Sequence, residues 1–172
     1  MSVDRVTSKG TSDAGSLPRR GGLARYLNPF RLACYVLVLY AFAHTSGAII
    51  QVPRFGLASD AVVAGMQSVH MTVLSADCTW YGFYLGFGWT VTIFMLFAAF
   101  VAWRAGGMSG VDRAVLLPLA WGLFVAECAT TPLVFLYFFP PPMICQTAVV
   151  VLLGVGCALE TRRAARSPEP AG

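Results

Sequence analysis

Charged residues are scarce in this sequence. Aspartate, glutamate, lysine and arginine together make up 12% of its 172 residues, about half of the roughly 25% that soluble domains contain. Hydrophobic residues reach 57%, and the mean hydropathy is +0.68. A particle of this size with so little polar surface does not stay dissolved in water. The composition therefore excludes a soluble domain and predicts one integral membrane domain.

The sequence also lacks the short motifs that mark common catalytic sites. It has no phosphate-binding loop, nucleophile elbow or paired-carboxylate motif. Its five cysteines include no C-x-x-C pair, which disfavours a thiol oxidoreductase. The two histidines, His44 and His70, have no ligand spacing that supports a metal or haem site. We therefore predict no cofactor and no metal.

Four apolar segments are long enough to cross a bilayer as helices. A hydrocarbon core of about 30 Å needs roughly 20 helical residues, and lipid offers no partner to open backbone groups. The predicted fold is an all-α membrane protein, an antiparallel bundle of four transmembrane helices. The spans cover about residues 32–50, 80–103, 114–139 and 143–159 of a membrane domain at 30–160, with disordered cytoplasmic tails at 1–29 and 161–172.

The basic residues predict the orientation of this bundle. With a cytoplasmic N-terminus, eleven of the twelve lysines and arginines lie on the cytoplasmic side, and only Arg54 lies outside. We interpret the net charge of +4 as this topology bias and not as a nucleic-acid binding surface. Cys78 and Cys145 both fall on the outer side in this orientation, which makes them a candidate disulfide.

An alternative stays open for the first span. Residues 33–43 have the length of a signal-peptide core, and Ala41 and Ala43 form an A-x-A cleavage pattern. Cleavage there would leave three spans. Against this alternative, the apolar run continues past the pattern through residues 46–50.

The long outer loop, about residues 51–79, carries a helical pattern. Ser59 is a candidate N-cap, and apolar residues recur after it at helical spacing: Val62, Val63, Met66, Val69 and Val73. The pattern predicts a short amphipathic helix, which lies on the membrane interface or caps the bundle. Asp77, just before the second span, either caps that helix or lies at an outer mouth.

Each of the four spans carries a polar residue at about the same predicted depth. Counted from the nearest inner charge at about 1.5 Å per residue, His44, Thr90, Glu127 and Gln146 all lie about 20 Å from the inner face. The sequence therefore predicts a polar layer in the outer half of the membrane.

Glu127 is the one carboxylate in the third span, and it has two interpretations. An acid in hydrocarbon costs at least about 2.5–3.5 kcal/mol, so intramembrane acids are paired or functional. As a functional residue, Glu127 would be a catalytic acid/base with His44 as its partner. As a structural residue, it would join helices by hydrogen bonds. Pro132 predicts a bend beside it. The candidate binding residues around the pair are Thr90, Trp89, Thr130, Thr131, Gln146 and Asp77.

Three motifs resemble a family of small bacterial four-helix integral membrane proteins with no assigned activity. They are "HTSG" at 44–47, "WYGFYLGFG" at 80–88 and "YFFPPP" at 137–142. The resemblance covers roughly residues 35–155. It implies a four-span bundle in a bacterial inner membrane, and it implies no activity.

Two functional hypotheses follow from these patterns. The first is a binding, accessory or transport protein of the inner membrane with no chemistry of its own. The second is a membrane-embedded enzyme of isomerase or cyclase type that acts on a lipid-like or isoprenoid substrate. The expected partners are membrane lipid and, at the polar layer, a lipid-like small molecule; a homo-oligomer is left open, and nucleic acid is not expected.

Overall fold

The computed structural model describes residues 27–50 and 56–166. Four helices in these ranges are long and apolar enough to cross a membrane. The fold class is therefore confirmed as an all-α bundle of four helices, with a short fifth helix in the outer loop. This architecture fits a multi-pass integral membrane protein.

The first span begins with a capped helix and ends in a wider turn. Helix α1 (Pro29–His44) starts at Asn28, whose side chain accepts a hydrogen bond from the Arg31 amide at 2.9 Å. Proline suits the first helical position because its missing N–H has no partner to lose there. After His44 the chain continues as a π-helical segment, Thr45–Ile50, a rare geometry that often marks functional regions.

The outer loop holds a helix and a hairpin. Helix α2 (Leu57–Ser68) follows Gly56, which has a φ of +95°, so Ser59 lies inside the helix and is not its N-cap. The predicted pattern continued to Val73, but strands β1 (His70–Val73) and β2 (Ala76–Thr79) form an antiparallel hairpin there. The helix α2 contacts β2 and the following helix and has no buried residue.

Three long helices complete the bundle. They are α3 (Trp80–Ala105), α4 (Gly110–Tyr137) and α5 (Pro140–Arg166). Helix α5 extends beyond the predicted fourth span at both ends, so residues 161–166, assigned to the C-terminal tail, are helical. The predicted tails at 1–26 and 167–172 lie outside the described residues.

The four long helices form a ring. Helix α1 packs mainly against α3 and α5, and α4 packs against α5 and α3. We call the end with Asn28, the α3–α4 turn and Arg163 the inner end, and the end with the hairpin the outer end. The packed core lies toward the inner end, and its members are mostly small: Phe30, Ala33, Cys34, Leu37, Ala98, Ala99, Ala102, Ala105, Ala120, Val149, Leu153 and Cys157.

Helix α4 is the least covered of the four. Only 11% of its apolar stretch is buried inside the chain, against 28% in each of the other three. Glu127 and Pro132 therefore lie on the helix that the rest of the chain covers least.

Candidate functional site

Gln146 is the centre of a polar cluster between α4 and α5. Its side-chain nitrogen lies 2.9 Å from the Glu127 main-chain oxygen, 3.0 Å from the Glu127 Oε2 atom and 3.0 Å from the Thr130 hydroxyl. Gln146 itself is only 4% exposed. A buried amide needs such partners because an unpaired one is costly in an apolar medium. The structure thus brings together three of the residues assigned to the polar layer and its binding set.

The main-chain carbonyl of Glu127 collects hydrogen bonds from three side chains. Thr130 and Thr131 donate to it at 2.9 and 2.8 Å, in addition to Gln146. Pro132, inside α4, has no N–H for the carbonyl of Cys128, the residue that follows Glu127. Hydroxyl groups within a turn commonly supply hydrogen bonds where a proline disturbs a membrane helix.

Only one oxygen of the Glu127 carboxylate has a hydrogen-bond donor among the described residues. Its Oε2 atom accepts from Gln146. Among the described residues no donor reaches Oε1, and this atom is not one of the enclosed polar atoms. The side chain is half-buried. One oxygen of the intramembrane acid is therefore available to an incoming donor.

His44 belongs to a second cluster, between α1 and α3. Its Nε2 atom lies 3.2 Å from the Gly88 carbonyl oxygen, to which it donates when it carries the proton. Next to it, the hydroxyls of Thr45 and Thr92 are 3.0 Å apart. Among the described residues no hydrogen bond or ion pair joins His44 to Glu127. The equal predicted depth of the two residues did not bring them together. His44 on α1 faces α3, whereas Glu127 on α4 faces α5.

The remaining predicted residues are placed apart from both clusters. Thr90 is exposed and donates to the Gly86 carbonyl of its own helix at 2.8 Å, and Trp89 is exposed. Asp77 does not cap α3: Thr79 does, by accepting from the Gly82 amide at 3.0 Å. Asp77 instead pairs with His70 across the hairpin at 3.0 Å.

The candidate disulfide is not formed. Cys78 and Cys145 are both free thiols. Cys78 lies in β2, where its sulfur is 3.7 Å from the Met71 carbonyl oxygen, whereas Cys145 lies in α5 near Tyr40. The two residues share the outer half of the molecule but occupy different elements of it.

Tyr40 is a neighbour of the acid that sequence reasoning missed. It lies on α1 within electrostatic range of both Glu127 and Cys145. Its polar hydroxyl within the apolar first span was the available indication. Tyr40 thus adds a polar group of α1 to those of α4 and α5 that interact electrostatically with Glu127.

Comparisons with known proteins add no further assignment. The chain matches no protein-family model, no curated protein and no solved structure.

Proposed function

We propose that this chain is a multi-pass protein of a bacterial inner membrane, of binding, accessory or transport type, that binds a lipophilic molecule at Glu127. This proposal rests on the hydrogen bonds of the carboxylate. Oε2 accepts from Gln146, and Oε1 has no donor among the described residues. The ligand class is a long-chain molecule with a hydroxyl or ammonium group that donates to Oε1.

A purely structural role for the carboxylate is less well supported. Gln146 already joins α5 to α4 through the main-chain carbonyl of Glu127 and the hydroxyl of Thr130. Both contacts are available to any residue at position 127. The carboxylate therefore adds little to helix pairing, yet an acid in hydrocarbon costs at least about 2.5–3.5 kcal/mol. A ligand that bonds to the acid offsets this cost.

Access from the bilayer also favours a lipophilic ligand. Glu127 lies on α4, the helix with the smallest buried share, and its neighbour Thr130 is exposed. A molecule dissolved in the membrane reaches this face without crossing the packed core, which lies toward the inner end.

The enzyme alternative has less support, because no hydrogen bond joins Glu127 to His44 among the described residues. General acid–base work by Glu127 and His44 requires the two side chains to be within hydrogen-bond reach of each other or of one reacting group. In the described residues His44 bonds to Gly88 in the other cluster. The geometry supports binding better than isomerase or cyclase chemistry.

Labelling with dicyclohexylcarbodiimide tests the site in the full-length protein in lipid nanodiscs. This apolar reagent adds to a protonated carboxyl group and remains attached as an N-acylurea, which mass spectrometry of the peptides locates. We expect labelling of Glu127 in the wild type and in the Cys128→Ala control, and none at this position in Glu127→Gln. We also expect octadecanol to protect Glu127 from the reagent, whereas octadecane does not.

Two results would overturn the proposal. Absence of labelling at Glu127 would mean that the carboxylate is closed to the bilayer. Labelling that octadecanol does not reduce would mean that an open carboxylate has no affinity for a donor-bearing chain.

A further inference from the structure

The inner end of the bundle contains a pocket that the Glu127 site does not use. It has a volume of about 120 Å³ and lies where the start of α1, the α3–α4 turn and the end of α5 meet. Its polar lining comes from Asn28, Glu160 and Arg163. Since a water molecule takes up about 30 Å³ of liquid, the pocket accommodates a group several times larger than one water.

Positive charge is concentrated around this pocket. All six arginines in the described part of the chain lie at the inner ends of the four long helices: Arg31, Arg104, Arg113, Arg162, Arg163 and Arg166. Within the described ranges only two carboxylates, Asp112 and Glu160, accompany them there. An anion approaching this end therefore meets an excess of cations.

The acid in the pocket is itself neutralised. Glu160 is buried, with one oxygen 3.4 Å from the Arg113 side chain and the other bonded to Arg163. Two guanidinium groups thus share one carboxylate. Arg163 is 66% exposed and uses one of its five donor hydrogens on Glu160, so most of its donors remain directed to the surroundings.

A second arginine is fixed beside the pocket. The guanidinium of Arg31 lies over the Trp103 ring, 4.2 Å from its centre, and a Cβ on the pocket residue Gly106 would be 2.6 Å from Arg31 Cγ. Tryptophans at span ends lie at the level of lipid headgroups. The pocket therefore sits at the depth where phosphate groups of the bilayer are found.

We propose that the inner-end pocket binds the phosphate of an anionic phospholipid headgroup, with Arg163 as its principal ligand. Arginine suits this role because its planar fork donates two parallel hydrogen bonds to phosphate oxygens. Basic pockets between transmembrane helices on the cytoplasmic side commonly take such headgroups. This inference is independent of the ligand proposed for Glu127, since the pocket and the acid lie in opposite halves of the bundle.

Native mass spectrometry of the full-length protein tests the site by counting retained lipids. The protein is loaded with phosphatidylglycerol or with phosphatidylcholine of the same acyl chains. We expect the wild type to retain phosphatidylglycerol selectively. We expect Arg163→Gln to retain about tenfold less of this lipid, because hydrogen bonds to charged groups are strong. Arg162→Gln is the matched control: it removes the same charge from the same helix end but does not line the pocket.

A second variant tests the pocket without changing any charge. Leu159 lines the pocket, and Leu159→Trp fills it. We expect this variant to retain about tenfold less phosphatidylglycerol than the wild type. Circular dichroism and gel filtration check that the variant is folded. If Arg163→Gln unfolds, Leu159→Trp decides the question.

Three outcomes would overturn the inference. Equal losses in Arg162→Gln and Arg163→Gln would assign binding to diffuse charge and not to the pocket. Full retention by Leu159→Trp would place the lipid elsewhere. Displacement of phosphatidylglycerol by an equal concentration of inorganic phosphate would assign the pocket to the free ion and not to the lipid.

Discussion

The side-chain amide of Gln146 in α5 bonds to both the main-chain oxygen and the carboxylate of Glu127 in α4, at 2.9 and 3.0 Å. One nitrogen atom thereby fastens two helices and positions the acid. These two effects are separable by substitution, because only the second depends on the carboxylate.

We expect Gln146→Leu to destabilise the bundle more than Glu127→Gln. Gln146→Leu removes every contact that its amide makes to α4, and hydrogen bonds inside membrane proteins contribute about 0.6 kcal/mol on average and up to about 1.7. The expected loss is about 1–3 kcal/mol, measured by thermal unfolding in detergent. Thr147→Val is the control, since the exposed Thr147 hydroxyl bonds only to the Met143 carbonyl of its own helix. Equal losses in Gln146→Leu and Glu127→Gln would show that the carboxylate fastens the helices after all.

The π-helical segment Thr45–Ile50 approaches α3 closely at Gly88. A Cβ there would lie 3.1 and 3.2 Å from two carbons of Ile49. We expect Gly88→Ala to cost about 1–3 kcal/mol through overpacking and to displace His44 from its carbonyl partner. Gly86→Ala, on the same helix, has nothing within 4 Å and should leave stability unchanged or slightly raised. Comparable melting temperatures for the two variants would contradict the close approach of the π-helical segment to α3.

Glu160 joins the inner end of α5 to that of α4 through Arg113, and it also pairs with Arg163 of its own helix. We expect Glu160→Gln to lower stability by about 1–3 kcal/mol, because it leaves a partly buried arginine without its counter-charge. Asp112→Asn is the control: its exposed carboxylate accepts only from Ser109 and should cost under about 1 kcal/mol. Thermal unfolding at low and high salt measures both. If Asp112→Asn lowered the stability as much as Glu160→Gln, a special role for the buried Glu160 would be excluded.

The turn of the outer hairpin is strained. Leu74 and Ser75 both have positive φ, at 49° and 69°, a conformation that costs L-residues roughly 1–2 kcal/mol each. We expect Leu74→Asn to slow hydrogen exchange of the hairpin amides severalfold, because asparagine tolerates this geometry. Leu57→Asn, an equally exposed leucine in α2, is the control and should not change hairpin exchange. Unchanged exchange in Leu74→Asn would mean that the turn is not the weak point of the hairpin.

The proposed orientation predicts which residues a membrane-impermeant maleimide reaches in intact cells. In a Cys78→Ala background, a Leu74→Cys variant should be labelled from outside, since Leu74 is 98% exposed at the hairpin tip. A Ser109→Cys variant, in the α3–α4 turn at the inner end, should be labelled only after permeabilisation. The reverse labelling pattern would place both termini on the outer side of the membrane. The arginine-rich end would then face outward, opposite to the proposed orientation.

The sequence by itself determined the class of the molecule and its four long helices. Scarce charge and long apolar runs are properties of the chain in one dimension, and a bilayer permits few folds that satisfy their backbone. It did not predict the hairpin, because a Leu-Ser turn lacks the glycine or asparagine that normally marks positive φ.

Only the tertiary structure decided which polar side chains meet. Counting residues gives the depth of His44, Glu127 and Gln146 along their helices but not the direction each faces or the order of helices in the ring. The packing of α1 on α3 pairs His44 with Gly88, and the packing of α4 on α5 pairs Glu127 with Gln146. Helix rotation and neighbour choice depend on contacts between segments distant in sequence, so no local pattern contains them.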